Sequence, residues 1–477
     1  MSTARRRGLA VSATVVWLLL ESAHAMAEAP PEARVTLDAQ QAVAVTIYNE
    51  DLALVRDRRR IALQAGGNRI AFIDVSAKMK PETALLHGER SDLTIVEQNF
   101  DFDLLTPQKL LEKSVGEKVR LVRTNPKNGQ DSFEDATVLA VSSGVVLQVG
   151  DRIETASPGR IVFNQVPANL RSRPTLVLQL DSGAAGEQAV ELSYLTGGLG
   201  WKADYVAELA SDEKTLDLAG WVTLTNTSGI TYRDARLRMV AGDVNLVRPM
   251  MQRQAPAMMA MEGAMAAPKM REESLFEYHL YDLDRPTTIA ENQTKQVALL
   301  SGSGVPVRKE YRFSNISNAY DQRMGESPRT NATVRLAFDN KEEDRLGVPL
   351  PKGTVRVYKG DSQAKMLFVG EDEIAHTPKN EKVELTLGQA FDVTARSKQT
   401  SYERIGDNVI EVAFEDEIRN AKKEPITVAV IEQLPAEWKV LEESHPHEKA
   451  RAFEARWTVP VPAEGTTVLS YKVRIKY

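Results

Sequence analysis

The sequence has 477 residues, of which 42% are hydrophobic and 26% are charged, and its formal net charge is -6. A chain of this length is too long for one compact core, so several domains are expected. The mildly acidic balance argues against nucleic acid as a partner, because proteins that bind nucleic acid concentrate basic charge on one surface. The sequence contains no cysteine, which excludes disulfides, thiolate nucleophiles and zinc–thiolate sites.

The first 25 residues have the pattern of a secretory signal peptide. Residues 5–7 are arginines, residues 9–20 form a short apolar stretch, and residues 23–25 offer a small-residue cleavage site. The apolar stretch has about 12 residues, whereas a helix that spans a bilayer needs roughly 20. We therefore expect an exported protein that resides in a periplasm, or alternatively outside the cell, with no membrane span after signal cleavage.

Residues 35–103 predict an N-terminal β-domain. Apolar and polar residues alternate over residues 43–48, which is typical of a half-buried strand. The next predicted strand, residues 52–63, contains a basic run at residues 56–60. Such a run could bind an anionic surface, but charged residues more often line a solvated face or protect a sheet edge from unwanted pairing.

Residues 104–166 predict a short helix followed by a small, closed or nearly closed β-barrel. Thr106 is a good N-cap, and Pro107 suits the first helical position because its missing N–H needs no partner there. Five short strands separated by turns follow, at residues 118–123, 136–141, 145–149, 152–155 and 160–163. Closure into a barrel would remove the exposed edges of these strands.

Residues 167–345 predict a central β-sandwich with hairpins around residues 190–245. The glycines of residues 197–200 lack the spacing and the following helix of a phosphate-binding loop, so a hairpin is favoured. Trp201 and Tyr205 could form a shelf on which a ligand or a partner stacks. On a buried strand face the same aromatic side chains would belong to the core, and this alternative is the more common one.

Residues 248–273 interrupt the strand pattern with a Met-rich loop, where seven of the 13 methionines lie. Met258, Met259 and Met261 are close enough in sequence to offer thioether ligands to Cu(I), a soft ion. Methionine is also flexible and polarisable, so the same residues suit an adaptable contact surface for a partner. The composition favours a long disordered loop over an ordered metal site.

Residues 346–477 predict a C-terminal β-sandwich. Ile426, Val428 and Val430 share one strand face, and the final strand alternates over residues 467–477. Together the elements predict an all-β protein of immunoglobulin-like β-sandwich domains, with a small β-barrel insert and a disordered Met-rich loop.

Four stretches carry a family resemblance: Leu192-Ser-Tyr-Leu-Thr-Gly-Gly-Leu-Gly-Trp-Lys-Ala-Asp-Tyr205, Phe276-Glu-Tyr-His-Leu280, Asn292-Gln-Thr-Lys-Gln296 and Val355-Arg-Val-Tyr358. With the Met-rich loop between them, they resemble the mucoidy-inhibitor-type bacterial envelope proteins, whose shared core domain is a domain of unknown function. The resemblance covers residues 175–477 and implies an exported, all-β bacterial protein, but no established activity and no catalytic residues. Longer members carry a coiled-coil hairpin where residues 106–163 stand here, which puts a coiled-coil partner in doubt.

The sequence offers few candidates for chemistry, and no residue is predicted to be catalytic. It lacks the His-Glu-x-x-His, Gly-x-Ser-x-Gly and P-loop motifs. Two histidines, His445 and His447, are followed by Glu448 and could hold a divalent metal if the loop brings their side chains together. An isolated pair of histidines in a charged turn is, however, usually solvated. Apart from Cu(I) or a divalent metal at these sites, no cofactor is predicted.

Two functional hypotheses follow from these observations. The first is a non-enzymatic cell-envelope protein, a β-sandwich adaptor that binds another envelope protein or a surface polymer. The missing catalytic motifs and the adaptable Met-rich loop favour it. The alternative is a periplasmic protein that binds a metal, copper in particular, or that hydrolyses a substrate, with the methionines, His445 and His447, or surface carboxylates at its site.

Overall fold

A computed structural model describes residues 31–48, 51–90, 92–101, 103–142, 144–155, 159–167, 170–242, 271–275, 278–317 and 320–477. Most of these residues lie in β-strands, which confirms the prediction of an all-β protein of the β-sandwich kind. The helical elements are α1 (Pro107–Lys113) and two short 3₁₀ turns, Leu37–Ala39 and Pro81–Thr83. Within the described ranges, no helix is both long enough and apolar enough to cross a membrane.

The N-terminal part of the chain contributes eleven strands on the two sides of α1. Those before the helix are β1 (Glu32–Val35), β2 (Gln40–Tyr48), β3 (Leu52–Leu63), β4 (Gly66–Ile73), β5 (Leu85–Gly88) and β6 (Leu93–Asp101). Those after it are β7 (Lys118–Thr124), β8 (Asp131–Ala140), β9 (Val146–Val149), β10 (Arg152–Glu154) and β11 (Arg160–Val162).

The rest of the chain continues in the same way. Its first strands are β12 (Thr175–Ser182), β13 (Gly186–Thr196), β14 (Leu199–Leu209), β15 (Thr215–Asn226), β16 (Tyr232–Ala241), β17 (Arg271–Leu275), β18 (Tyr278–Asp282), β19 (Thr287–Ile289) and β20 (Gln293–Pro306). Its last strands are β21 (Arg308–Ser314), β22 (Thr330–Asp339), β23 (Gly353–Gly360), β24 (Met366–Ile374), β25 (Lys382–Arg404), β26 (Val409–Asn420), β27 (Ile426–Gln433), β28 (Glu437–Glu443), β29 (His447–Arg451), β30 (Glu454–Val461) and β31 (Gly465–Lys476).

The strands form five sheets. Sheet 1 has the order β1-β4-β12-β6, sheet 2 is β10-β9-β8-β7-β11, and sheet 3 is β17-β18-β16-β2-β3-β13-β5 with β19 beside β16. Sheet 4 is β20-β15-β14-β23-β24, and sheet 5 is β28-β31-β26-β25-β22-β21-β27-β30-β29. Strands from residues 35–103 and 167–345 share sheets, since β3 pairs with β13 and β2 pairs with β16. The proposed division into domains stays a prediction.

Sheet 2 rules out the closed form of the predicted closed or nearly closed barrel, because it is open between its two edge strands. Its edge strands β10 and β11 pair only with β9 and β7, and in the described chain no ladder joins them to each other. Each edge strand has only three residues, which is too short to bridge the seam of a barrel. The sheet still encloses a small core of its own, which includes Val119, Leu121, Val138 and Leu147.

Two larger cores hold the remaining sheets. Sheets 1, 3 and 4 share one core, to which Phe72 of β4, Tyr194 of β13 and Tyr205 of β14 contribute fully or almost fully buried rings. Sheet 5 encloses a second core around Trp457 of β30, whose ring stacks on that of Tyr471 of β31 with a centroid distance of 4.5 Å. Along these strands buried and exposed residues alternate, as the sequence pattern predicts.

Strands β22 and β25 pass from one core into the other. Leu336 and Phe338 of β22 and Leu385 of β25 are buried in the shared core, whereas Ala332 of β22 and Val393 of β25 are buried in the core of sheet 5. Strand β25 is 23 residues long and pairs with β22 in its first part and with β26 in its second part. Continuous hydrogen-bonded strands therefore join the two cores.

The basic run of residues 56–60 is only partly solvated. Its alternate arginines are exposed, but Asp57 and Arg59 are buried inside the N-terminal sheets. Nη2 of Arg59 lies 2.6 Å from Oδ2 of Asp57, and Nη1 donates to the carbonyl oxygens of Val35 at 2.9 Å and Ile73 at 2.7 Å. One guanidinium group thus links β3 to β1 and β4. The expectation of a solvated face is wrong for two of the five residues in the run.

We expect the substitution Arg59→Leu to lower the free energy of unfolding by about 3–5 kcal/mol, because it leaves the Asp57 carboxylate buried without its cation. The matched control Arg58→Leu removes an exposed pair with Glu89 and should cost less than about 1 kcal/mol. Urea unfolding followed by tryptophan fluorescence measures both. Equal losses in the two variants would contradict the structural role assigned to Arg59.

Candidate functional site

The outer face of sheet 5 carries a groove with a volume of about 340 Å³. Short side chains form its floor: Ala337 of β22, Ala429 of β27 and Thr458 of β30. Long charged side chains from β21, β22, β25 and β30 form its walls. The concave shape follows from this arrangement, since short residues on adjacent strands stand between long ones.

Glu310 of β21 holds two arginines at one side of the groove. It accepts a hydrogen bond from Nε of Arg312 at 2.6 Å and forms an ion pair with Arg456 of β30. Glu310 and Arg456 are far apart in sequence, but only β27 lies between β21 and β30 in the sheet. Two guanidinium groups share one carboxylate here, so this side of the groove keeps a positive charge.

Glu384 of β25 likewise pairs with two basic side chains, at the other side of the groove. It pairs with Arg335 of β22 at 2.7 Å and accepts a hydrogen bond from Lys382 at 2.5 Å. The hydrogen bond from Lys382 lowers the pKa of Glu384, so this carboxyl group is ionised at neutral pH. Nε of Arg335 is buried and, within the part of the chain that the structure describes, has no hydrogen-bond partner.

The groove carries more positive than negative charge. Its acidic lining residues are Glu310 and Glu384, and its basic ones are Arg308, Lys309, Arg312, Arg335, Lys382 and Arg456. Arg308 also pairs with Asp339, and Lys309 pairs with Glu213. Nζ of Lys309 lies over the ring of Tyr311, on the other face of β21, and Glu213 also pairs with Lys359. Five lining cations therefore stand against Glu310, Glu384 and Asp339 on the groove face. Guanidinium groups in this setting bind carboxylate, sulfate or phosphate oxygens through two parallel hydrogen bonds.

Trp201 and Tyr205, the proposed stacking shelf, lie on β14 in the shared core. Trp201 is 7% exposed and meets the ring of Tyr281 edge-on at 6.4 Å, while Tyr205 is fully buried. The hydroxyl of Tyr205 donates to the carbonyl oxygen of Pro351 at 2.8 Å, and burial raises its pKa well above the ordinary value. Both rings are core residues in this structure, the alternative that the sequence analysis favoured.

His445 and His447 lie close together in sequence but make separate contacts. Nδ1 of His447 is 2.8 Å from Oε2 of Glu443, and its ring lies between those of Trp438 and Trp457 at centroid distances of 5.8 and 6.0 Å. Nδ1 of His445 is instead 2.9 Å from the hydroxyl of Ser444. Among the described residues, no three His, Asp or Glu side chains are grouped so that they could hold a metal ion.

The methionines proposed as Cu(I) ligands or partner contacts are Met258, Met259 and Met261. They fall in residues 243–270, outside the described residues. Metal binding by these methionines, or by His445 and His447, stays a prediction.

A second polar cluster is buried in the core of sheet 5. It contains Asp416 of β26 and Glu432 of β27, neither of which has exposed surface. Tyr320 donates its hydroxyl to Oε2 of Glu432 at 2.7 Å, and the backbone N–H of Ser317 donates to Oε1 at 3.2 Å. The Ser317 hydroxyl donates to Oδ1 of Asp416 at 3.0 Å and lies 2.6 Å from that of Ser397. The cluster joins three strands to the loop after β21.

Burial raises the pKa of both carboxyl groups, to about 8 for Glu432 and to about 6 for Asp416. The charge of Asp416 raises the pKa of Glu432 further, since two carboxylates in one cavity repel each other. Oδ2 of Asp416 and the hydroxyl of Tyr471 are buried without a hydrogen-bond partner in the described chain. Glu432 therefore retains its proton at neutral pH, while its Oε2 accepts from the Tyr320 hydroxyl.

The sequence analysis did not identify this cluster, although the alternation of inward-facing and outward-facing residues extends into the cluster. Ile426, Val428 and Val430 face the core, and the next position of the same alternation is Glu432. Asp416 follows the inward-facing residues of β26 in the same way. The basic groove had no comparable signal, because its walls come from strands that are distant in sequence.

The fold and the groove together define an all-β protein of packed sheets that displays an ion-paired, basic groove on one sheet face. Residues 190–477 match the family described as Domain of unknown function (DUF4139), and the chain belongs to this family. No curated protein matches the chain. The matched region contains both the groove and the buried carboxyl pair.

We expect Glu432→Gln to stabilise the protein more as the pH rises. The folded-state pKa of about 8 exceeds the ordinary value of 4.5, so the wild type loses stability between these two pH values. A glutamine cannot ionise, and the difference in unfolding free energy should grow by up to about 1.4 kcal/mol per pH unit in that window. Urea unfolding at several pH values measures it.

The matched control is Glu415→Gln, on the exposed face of β26 next to Asp416. Its stability difference from the wild type should change little with pH, because its side chain is exposed and lies outside the buried cluster. Parallel pH profiles for wild type and Glu432→Gln would show that Glu432 does not bind its proton in the manner described.

Proposed function

We propose that the protein is an exported, non-enzymatic binding protein of the bacterial cell envelope, and that the groove of sheet 5 binds an anionic surface polymer. The observation that carries the proposal is the excess of cations above a floor of short side chains, with the buried Nε of Arg335 unpaired among the described residues. The signal-peptide pattern of residues 1–25 supports export to a periplasm, with an extracellular location as the alternative.

The arginines of the groove keep hydrogen-bond donors for a ligand. A guanidinium group has five N–H donors, whereas Arg335 has one described carboxylate partner, Glu384. Arg312 and Arg456 share Glu310, which cannot accept from all of their donors. Carboxylate or sulfate groups of a ligand can accept from the remaining donors, and hydrogen bonds to charged groups contribute about 1.5–3 kcal/mol each.

The shape of the groove favours an extended ligand over a small ion. The groove crosses β25, β22, β21, β27 and β30, and five adjacent strands span about 19 Å. Lys382, Arg335, Arg312 and Arg456 lie on four of these strands, and the strand registers set them on a diagonal across the sheet. A polymer with a repeated acidic group can meet several of these cations at once, while the hydroxyl of Thr458 can bind a sugar hydroxyl.

The chemistry of the groove supports binding over catalysis. Both of its carboxylates are engaged by arginine or lysine, and the pKa of Glu384 is lowered. A general acid needs a pKa near the working pH, and the pKa of Glu384 is shifted away from it. The finer assignment to the mucoidy-inhibitor-type envelope proteins belongs to the same proposal and is supported by the four sequence stretches that resemble them. Another envelope protein with an acidic surface is the remaining type of partner.

We expect the protein to bind polygalacturonate, a carboxylated polysaccharide, with an affinity that falls as salt concentration rises. Arg335→Gln should weaken this binding about tenfold, because it removes charge-assisted hydrogen bonds worth about 1.4 kcal/mol or more. Isothermal titration calorimetry, with neutral dextran as the negative control, measures both effects.

The control variant is Arg419→Gln, which removes the same charge from the exposed face of β26, outside the groove. Its affinity should equal that of the wild type. An equal loss in both variants would indicate a general charge effect and would count against the groove. Binding to polyglutamate alone, without binding to the polysaccharide, would indicate an acidic protein as the partner.

The alternative is a periplasmic protein that binds copper or hydrolyses a substrate, with Met258, Met259 and Met261 or His445 and His447 at its site. The binding proposal predicts that copper stays substoichiometric after loading with Cu(I) under reducing conditions, measured by atomic absorption. Stoichiometric copper that disappears on deletion of residues 250–270 would favour the alternative.

A further inference from the structure

Sheet 5 repeats an arrangement of strands that sheets 3 and 4 form between them. In sheet 4, β14, β15 and β20 run antiparallel in this order, and β16 pairs parallel with β2 in sheet 3. In sheet 5, β25, β26 and β31 run antiparallel in the same order, and β27 pairs parallel with β21. In both sets the middle antiparallel strand leads directly into the strand of the parallel pair, so the chain follows one path twice.

Asn226 and Asn420 end the two middle strands and align the two sets. Nδ2 of each donates to the carbonyl oxygen four residues farther on at 2.8 Å, and to a carbonyl oxygen shortly before the third strand at 3.0 Å. Asp416 lies four residues before Asn420, at the position that Val222 has relative to Asn226. Residues of the two cores can therefore be compared position by position.

The strand residues of the buried polar cluster have apolar counterparts in the first set. Strand pairings align three positions, and Glu432 and Met239 are each the fourth inward-facing residue of their strand. The counterparts are Val222 for Asp416, Ala203 for Ser397, Leu300 for Tyr471 and Met239 for Glu432. The arrangement thus packs without polar groups at these positions. Because buried carboxyl groups cost stability, their presence in one set alone points to a ligand that stabilises them.

The cluster also holds oxygen atoms that await a partner. Oδ2 of Asp416 and the hydroxyl of Tyr471 are buried and have no hydrogen-bond partner in the described chain. Burial and the charges of Glu432 and Asp416 raise the pKa of Tyr471, so its hydroxyl lies beside both carboxyl groups. The Ser317 hydroxyl is 3.0 Å from Oδ1 of Asp416 and 2.6 Å from the hydroxyl of Ser397. All of these groups offer oxygen, the ligand that hard cations prefer.

We infer that this cluster binds a calcium ion, which joins β26 to β27 through the core of sheet 5. Asp416 and Glu432 offer two oxygen atoms each, and Ser317 and Ser397 offer one each. Ca²⁺ takes about six to eight oxygen ligands, whereas Mg²⁺ usually keeps several of its waters and suits a buried site less. Two carboxylate charges balance one divalent ion.

The ion and the proton of Glu432 are alternative ways to neutralise the pair. Without the ion the proton prevents repulsion between the two carboxylates, and Ca²⁺ replaces that proton on binding. β26 and β27 are not neighbours in sheet 5, so an ion between them adds a link that the strand pairing does not provide. The site lies on the inner face of the sheet and is separate from the groove on its outer face.

Thermal unfolding of the full chain in EDTA and then in Ca²⁺ tests the inference, at about pH 8, where fewer protons compete with the ion. Saturating Ca²⁺ should raise the Tm of the wild type by about 2–5 °C, because a ligand that binds only the folded chain stabilises it. Mg²⁺ at the same concentration should raise the Tm less. Isothermal titration calorimetry should give a stoichiometry of one Ca²⁺ per chain.

Asp416→Asn keeps the shape of the side chain but removes its charge, and this variant should lose the Ca²⁺-dependent rise in Tm. The double variant Asp416→Val, Glu432→Met carries the residues of the aligned positions, so it should fold and have the same Tm in Ca²⁺ and in EDTA. The control is Glu415→Gln, on the exposed face beside Asp416, which should respond to Ca²⁺ like the wild type. Circular dichroism verifies that each variant is folded.

A wild-type Tm that Ca²⁺ does not change would overturn the inference and leave the pair neutralised by its proton alone. A rise of the same size in Asp416→Asn or in the double variant would place the ion elsewhere on the chain. An equal rise with Mg²⁺ would contradict the assignment to calcium.

Discussion

The passage of β22 and β25 through both large cores is the constraint on which the candidate site depends. Leu336 and Phe338 fix the register of β22 in one core, and Ala332 fixes it in the other. Side chains on a strand alternate between its faces, so this register places Arg335 on the outer face of sheet 5. β25 places Glu384 beside it by the same rule, between inward-facing Val383 and Leu385. The groove can therefore hold its arginines in position without any loop.

Two buried polar groups show how the same fold handles charge inside its cores. In the N-terminal sheets, Arg59 and Asp57 are both buried, and each neutralises the other. In the core of sheet 5 no cation among the described residues accompanies Asp416 and Glu432, so the carboxyl group with the higher pKa keeps its proton. An unpaired buried charge is expensive, and pairing and protonation are the two ways to avoid it. Of these two, only protonation makes the free energy of unfolding depend on pH near neutrality.

The strands, the all-β class and much of the core could be predicted from the sequence, because alternation is a local property that one strand displays by itself. The order of strands in the sheets could not, since it depends on pairing between distant segments. Glu310 and Arg456 are 146 residues apart, yet they share one groove. Of the predicted closed or nearly closed barrel, the closed form is wrong, because strand lengths at the seam decide closure and β10 and β11 are too short. Arg59 was assigned to a solvated face because its charge outweighed its position in the alternation.

The matched family region depends on residues that lie before it. The match begins at residue 190, but β13 pairs along its whole length with β3, and β16 pairs with β2. Without residues 40–63, sheet 3 would lose its two middle strands, and the shared core would lose the buried residues Val45, Ile47 and Val55. Part of β22 and part of β25 are buried in that same core. The geometry of the groove thus rests on strands more than 240 residues away in sequence, and the N-terminal strands belong to the structural unit that presents the site.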